Sequence, residues 1–220
     1  MQNNIYLTDT YLYELATTVL EKGSDEEGKW IALTDNIFHP QGGGQPADSG
    51  WINDEPVRIK KHSGGLVIAY LINDIEFNIG SIVNAKIDKQ QRQYYSALHT
   101  TGHLLSWEMG RFGWKGQKGH HFPDESRVEF GAISDDAMSI EQLDDKEIER
   151  LVNQSISSDY PVTIGQRGDL RLCSVSEGDE VPCGGTHVNS LGKICQFSIK
   201  SMKYKKGVLR ISYDAKHVDI

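Results

Sequence analysis

Two pairs of metal-binding residue types, each with its members four positions apart, constrain this chain more than any other feature. His99 and His103 form the first pair, and Cys183 and His187 form the second. Apolar residues recur every three to four positions around the first pair, which predicts a helix that carries both imidazoles on one face. The second pair follows Pro182 and encloses two glycines, a pattern typical of a tight loop. A fold that brings this loop to the helix would create one site with four ligands.

Imidazole nitrogens combined with a thiolate sulfur favour zinc over magnesium or calcium. Either pair alone has an ordinary explanation, because histidines four apart on a half-buried helix are often core side chains and cysteine is often buried without a chemical role. Both pairs in one chain favour the metal site. The predicted zinc ligands are therefore His99, His103, Cys183 and His187.

The chain has 220 residues, enough for one large domain or two modest ones. Its start does not resemble a signal peptide, and no apolar run is long enough to cross a bilayer, so we expect a soluble cytoplasmic protein. Three cysteines form an odd set, which fits reduced thiols better than disulfides. Cys173 and Cys195 have apolar neighbours, which indicates core packing as their role.

The formal net charge is −8, yet two segments, 111–121 and 200–210, carry Lys and Arg without any acidic residue. Clustered Lys and Arg bind phosphate groups, so these segments are candidates for nucleic-acid binding. The alternative is an ordinary solvated surface, and the acidic stretch 135–149 is expected to face solvent. The candidate cations are Arg111, Lys115, Lys118, Lys203, Lys205, Lys206 and Arg210.

The chain is β-rich up to Asp88, where the hydrophobic period changes from two to three or four. Ser63-Gly64-Gly65 is a hairpin signal between two of the strands. The short spacing of the strands predicts a small barrel or sandwich at 1–88, followed by a second domain at 89–220. The predicted strands of the first domain are 5–13, 15–20, 30–38, 57–61, 66–71 and 81–88.

The second domain is predicted to be α+β, with helices packed on a mostly antiparallel sheet. A Gly-rich segment at 110–119 follows the histidine helix. Ser139 and Gln142 form a capping box that predicts the start of a second helix, which ends before Tyr160-Pro161. The predicted strands of this domain are 127–130, 162–164, 170–175, 194–200 and 208–213.

Three segments together resemble a known family. They are 99–105 (HTTGHLL), 182–188 (PCGGTHV) and 38–50 (FHPQGGGQPADSG). In type, order and spacing they closely resemble the motifs of the free-standing alanyl-tRNA editing proteins, the AlaX family. The same motifs occur in the editing part of alanyl-tRNA synthetase. The resemblance spans about 5–213, and the β-rich domain with its Gly-rich motif indicates the medium-length form. No stretch remains for ATP binding or aminoacylation.

The resemblance implies hydrolysis of the ester that joins a wrong amino acid to the terminal ribose of alanine tRNA. Serine is the first expected amino acid and glycine the second, because a pocket sized for alanine cannot exclude glycine and rejects serine only modestly. The four candidate ligands match the family's zinc ligands. The residues that match a motif beside the family's editing pocket, and that are therefore expected to bind substrate, are Gly42, Gly43, Gly44 and Gln45.

The role of zinc stays open at this point, because three protein ligands with an open position are typical of catalysis and four ligands are typical of a structural site. The HxxxH pattern lacks the Glu of zinc peptidases, so it identifies no general base. Gln117 is the candidate for orienting water or substrate, and a solvent-facing amide is the alternative.

Close relatives often have a small hydroxyl residue in the segment that reads Gly119-His120-His121-Phe122 here. Thr101 and Thr186 are the alternative hydroxyls for the substrate, although threonines inside a motif more often bond the local backbone. Two alternatives exist for His120 and His121, namely contact with tRNA or ligand and an exposed position in a loop, and we expect the second.

Three functions compete. The leading hypothesis is a zinc-dependent aminoacyl-tRNA deacylase. The second is a non-catalytic, zinc-stabilised tRNA-binding module, in which the same ligands only hold the fold. The third is a metal-dependent hydrolase of a small ester.

Overall fold

The computed structural model describes residues 1–220 and contains fifteen β-strands and two α-helices. The chain groups into two compact units. Met1–Gly42 with Pro46–Arg92 forms the first unit, and Gly43–Gln45 with Gln93–Ile220 forms the second. The domain boundaries expected at 1–88 and 89–220 stay a prediction. No helix is long and apolar enough to span a membrane.

The first unit is built around a closed barrel. Six strands form it in the order β2, β3, β7, β6, β5, β8, and all the neighbours run antiparallel. β1 and β4 form a separate parallel pair. The strands are β1 (Asn3–Asn4), β2 (Glu14–Asp25), β3 (Gly28–Leu33), β4 (Asp35–Asn36), β5 (Ser49–Ile52), β6 (Glu55–Lys61), β7 (Val67–Leu71) and β8 (Ile82–Ile87).

The barrel expected from the spacing of the strands is confirmed. Lys61 pairs with Val67 at the end of the β6–β7 hairpin, which confirms the turn predicted at 63–65. Along β8, Val83 and Ala85 are buried while Ile82 is exposed. This alternation lets one face of each strand fill the barrel interior.

The strand predicted at 5–13 is wrong. Ile5–Leu7 form a short 3-10 helix, and the chain then turns. Thr8 donates its hydroxyl proton to the Ile5 carbonyl, and Asp9 accepts a hydrogen bond from the Tyr11 amide at 2.8 Å. Short polar side chains that bond the nearby backbone in this way compete with a sheet ladder.

The second unit combines helices with antiparallel sheets, as expected for α+β architecture. One sheet has the order β14, β15, β10, β9, and another has the order β11, β12, β13. Helix α1 begins in the first unit and continues into the second. The elements are α1 (Lys89–Met109), β9 (Trp114–His120), β10 (Arg127–Ala132), α2 (Asp145–Ser157), β11 (Val162–Arg167), β12 (Leu170–Val175), β13 (Val181–Pro182), β14 (Ile194–Lys205) and β15 (Val208–His217).

The second helix begins later than its capping box predicts. Ser139 and Gln142 enclose only a 3-10 turn, because Leu143 is extended. Helix α2 starts at Asp145, and Asp144 caps it by accepting a hydrogen bond from the Lys146 amide at 2.9 Å.

The hydrophobic core of the second unit fixes α1. Leu98, Leu104 and Leu105 are fully buried and pack in one cluster with Phe130 and Ile211 of the sheet. Burial of this many large side chains holds the helix in a defined position. The histidines on α1 therefore project from a rigid element.

Candidate metal centre

The four predicted ligands meet in the second unit. Helix α1 carries His99 and His103 one turn apart, while Cys183 directly follows β13, which pairs with β12. The potential ligand atoms of His99, His103, Cys183 and His187 all lie within 4.8 Å of one another. This group could hold a metal ion.

The loop between Cys183 and His187 can approach α1 because residue 185 is glycine. A Cβ at Gly185 would lie 2.1 Å from His99 Cε1, which no real side chain tolerates. The Cys183 Sγ atom is 3.4 Å from His99 Nε2 and 3.2 Å from His187 Nε2. Both imidazoles thus direct Nε2 toward the sulfur.

Gln45 fixes the protonation of His99. Its side-chain oxygen accepts a hydrogen bond from the Thr186 amide at 3.0 Å and lies 2.8 Å from His99 Nδ1. Its side-chain nitrogen donates to the Thr186 hydroxyl at 2.8 Å. The atom facing His99 is therefore an acceptor, so Nδ1 carries the proton and Nε2 keeps its lone pair.

Thr100 does the same for His187. Its hydroxyl donates to the Ser96 carbonyl at 2.8 Å and accepts from the Val188 amide at 3.1 Å. With its only proton committed, the hydroxyl acts as an acceptor toward His187 Nδ1, 3.2 Å away. The Nε2 atom of His187, which faces Cys183 Sγ, thus also keeps the lone pair with which an imidazole binds a metal.

Burial determines the charge of the other two candidate ligands. It lowers the pKa of His103 to about 4, with a smaller effect from Arg171, so this imidazole is neutral at pH 7. Burial also raises the pKa of the Cys183 thiol. Neutral imidazoles are ready to ligate, whereas the thiol must lose its proton when a metal binds.

A cavity of about 350 Å³ opens beside the candidate ligands. Its lining includes polar side chains from α1 and β9 and contains no carboxylate. The lining residues are Gly43, His99, Gly102, His103, Ser106, Gly116, Gln117, Lys118, Gly119, His121, Val128, Val181, Pro182, Cys183 and Gly184.

The remaining predicted substrate residues occupy different places. Gly43 lines the cavity, whereas Gln45 is fully buried and bonds to His99. Thr101 and Thr186 are fully buried, and their hydroxyls have partners inside the protein. Gly44 contributes its carbonyl oxygen to a hydrogen bond from the His121 amide, and Gly42 belongs to the first unit.

Gln117 is exposed and lines the cavity. Its side chain covers Gly131 of the neighbouring strand, because a Cβ at Gly131 would lie 2.2 Å from Gln117 Nε2. The role predicted for Gln117 stays a prediction.

His121 is not an exposed loop histidine, and that expectation is wrong. It is only 4% exposed, and its ring stacks on His99 with a centroid distance of 4.5 Å. Burial, together with His103 and His120, lowers its pKa to about 3. His120 is partly buried and stacks on Phe122. The glycines of β9 permit a ring to approach the backbone, but their presence in the sequence does not identify which ring does so.

The candidate tRNA-binding cations fall into two groups. Arg111 forms an ion pair with Glu108 at 2.6 Å, and Arg210 forms one with Glu129 at 2.7 Å. The others are exposed and have no ion-pair partner, and Lys118 also lines the cavity. These others are Lys115, Lys118, Lys203, Lys205 and Lys206.

Comparison with known proteins identifies the family. The chain is 30% identical over 208 residues to alanyl-tRNA editing protein AlaX-M of Pyrococcus horikoshii, and the match covers 88% of each chain. The chain belongs to the alanyl-tRNA editing proteins. The resemblance drawn from the motifs is thus confirmed, including the medium-length form. A comparison with models of known protein families finds no match.

The chain is also similar in sequence to part of a larger enzyme. The chain is 28% identical to the alanine–tRNA ligase of Caldivirga maquilingensis, a match that covers 95% of the chain and 26% of the ligase. The ligase of Korarchaeum cryptofilum is also 28% identical, with 96% of the chain and 26% of the ligase covered. The chain thus spans about a quarter of the length of these ligases.

Proposed function

We propose that this protein hydrolyses the ester bond between alanine tRNA and a wrongly attached amino acid. Serine is the first proposed amino acid and glycine the second. The observation that carries the proposal is the cluster of His99, His103, Cys183 and His187 beside an open cavity, in a chain of this family. Editing is needed because a synthetase pocket for alanine cannot exclude glycine by size and rejects serine only modestly.

We assign zinc to the cluster. The usual zinc–sulfur and zinc–nitrogen bond lengths with tetrahedral angles separate sulfur and nitrogen by about 3.6 Å. Cys183 Sγ lies 3.4 Å from His99 Nε2 and 3.2 Å from His187 Nε2, close to that spacing. Three imidazoles with one thiolate are a donor set that suits zinc.

The reaction would consume water and release a free amino acid and tRNA with a free terminal hydroxyl. When bound, zinc would supply Lewis acidity to the ester carbonyl or lower the pKa of a water molecule. The residues of the chain orient the site: Gln45 and Thr100 keep both Nε2 lone pairs of His99 and His187 available. The cavity has no carboxylate that would serve as a general base.

The proposed tRNA contacts come from the exposed cations. Lys118 lines the cavity, so it is the proposed contact for a phosphate near the ester. Lys203, Lys205 and Lys206 lie on β14 and its turn and are proposed to bind phosphates farther along the tRNA.

A second candidate is the non-catalytic, zinc-stabilised tRNA-binding module. It is favoured by one observation, namely that the cluster offers four protein ligands, the number typical of a closed structural zinc site. The two candidates differ in turnover, because the module would bind charged tRNA without hydrolysing it.

The test is single-turnover deacylation of seryl-, glycyl- and alanyl-tRNA for alanine, with zinc content measured on each sample. We expect rapid loss of the serine ester, with the alanine ester spared. Cys183→Ala should lose both zinc and activity, whereas Cys195→Ala, a cysteine on β14 outside the cluster, should keep both. Intact esters after incubation with fully zinc-loaded wild type would reject the deacylase and leave the binding module.

A further inference from the structure

His121 occupies a slot formed by three glycines, which has room for an imidazole because none of them has a side chain. A Cβ at Gly102 would lie 2.3 Å from His121 Cε1, and a Cβ at Gly119 would lie 2.4 Å from Nε2. A Cβ at Gly44 would lie 3.3 Å from His121 Cδ2. With His99 stacked on the ring at 4.5 Å, the position of the imidazole is well defined.

The hydrogen bonds of His121 determine which ring nitrogen carries the proton. Tyr213 donates its hydroxyl proton to the Leu98 carbonyl oxygen at 2.8 Å. The hydroxyl must therefore accept from His121 Nδ1, which is 2.7 Å away. In the tautomer that these hydrogen bonds select, Nδ1 carries the proton and Nε2 keeps its lone pair.

A ligand can reach this lone pair. His121 lines the cavity beside the candidate metal ligands but is not a member of the four-ligand group. No side chain or backbone group of the protein donates to Nε2, and Nε2 is not among the enclosed side-chain atoms that lack a partner. The cavity thus contains an oriented hydrogen-bond acceptor that is available to a ligand.

The composition of the cavity lining indicates which donor fits. One lysine and no carboxylate line it, so the α-ammonium group, which all three aminoacyl esters share, has no ion-pair partner there. An imidazole nitrogen with a lone pair accepts a hydrogen bond from a hydroxyl, which serine has and glycine and alanine lack. The buried hydroxyls of Thr101 and Thr186 already have protein partners and do not compete for the role.

We propose that His121 Nε2 accepts a hydrogen bond from the side-chain hydroxyl of a seryl ester and thereby distinguishes serine from glycine and alanine. This inference rests on the proposed function and names the residue that recognises the amino acid. A site that bonds a hydroxyl discriminates strongly against analogues without it, because its polar atom would otherwise stay unpaired.

Two variants separate this role from a structural one. In His121→Asn the amide nitrogen can replace Nδ1 as donor to Tyr213, but no atom replaces Nε2. In His121→Gln the longer side chain brings an amide oxygen to about the position of Nε2. His120→Asn is the matched control, because the neighbouring histidine does not line the cavity. Zinc content and the midpoint of thermal unfolding are measured for every variant.

The assay compares kcat/KM for the seryl and glycyl esters of alanine tRNA. We expect His121→Asn to lower the seryl value about tenfold, the effect of one hydrogen bond in a buried site. The glycyl value should stay within about twofold, and His121→Gln should recover part of the seryl preference. His120→Asn should change neither value.

An equal fall for both esters, or an unchanged ratio in both His121 variants, would overturn the proposal. If the wild type hydrolyses neither ester, the proposed function fails and this inference falls with it. That outcome is recognised in the wild type, before any variant is measured.

Discussion

Gln45→Leu tests whether the buried network beneath the candidate ligands sets metal affinity. Gln45 is fully buried and makes three hydrogen bonds, to the Thr186 amide, the Thr186 hydroxyl and His99 Nδ1. Leucine has a similar volume but removes all three. His99 would lose the acceptor that holds its proton on Nδ1, so the ring would be free to turn or to change tautomer.

Two magnitudes follow for Gln45→Leu. Loss of a hydrogen-bonding partner of a metal-binding histidine typically weakens metal affinity about 10- to 100-fold, which equals roughly 1.4 to 2.7 kcal/mol. The Thr186 amide would also be left buried without an acceptor, which costs about 1 to 3 kcal/mol of the free energy of unfolding. The second effect is independent of the metal.

The zinc dissociation constant is measured by competition with a chromophoric chelator, and urea unfolding of the metal-free protein gives the stability. Gln45→Glu is the control, because its carboxylate still accepts from the Thr186 amide and His99 Nδ1. We expect its zinc affinity to stay close to that of the wild type. A zinc affinity of Gln45→Leu equal to that of the wild type would refute the argument that this network prepares His99 for the metal.

Three further predictions concern the rest of the molecule. Arg92 is fully buried and paired with Asp48, so Arg92→Met should lower the free energy of unfolding by about 3 to 5 kcal/mol in urea titrations, and Asp48→Asn in the same chain should recover part of the loss. Burial raises the pKa of Cys173 to about 12, so the thiol of the folded protein should stay protonated and resist iodoacetamide at pH 9. The thiol should react once the protein unfolds, and fast labelling of the native protein would contradict this prediction. Replacing Lys203 and Lys205 by Glu should weaken binding of uncharged tRNA and reduce its salt dependence, and an unchanged salt slope would exclude both as phosphate contacts.

Local patterns predicted the parts of the fold that depend on neighbours in sequence. The period of three to four around His99 identified α1, and the spacing of short strands identified the barrel. The glycines at 110–119 concealed β9, because glycine usually indicates a loop. In the structure they permit close contacts: a Cβ at Gly116 would lie 2.6 Å from Ser106 Oγ, and Gly119 lies against His121.

The network around the candidate ligands could not be predicted, because its members are far apart in sequence. Gln45 is 141 positions from Thr186 and 54 positions from His99. Spacing rules describe residues on one helix or one strand and contain no information on such pairs. His121 was missed for the same reason, since its burial depends on Tyr213, 92 positions later.

The Gly-rich motif contributes to the second unit through three consecutive residues, although the chain on both sides of them belongs to the barrel unit. Gly43 and Gly44 have φ angles of 59° and 77°, a left-handed conformation that favours glycine. At Gly44 a side chain is also excluded by space, because its Cβ would lie 2.5 Å from the Gly119 carbonyl oxygen. This conformation lets the Gly44 carbonyl accept from the His121 amide at 2.7 Å while Gln45 bonds to His99. The motif therefore acts on two stacked imidazoles at once, a candidate metal ligand and the proposed acceptor of the serine hydroxyl.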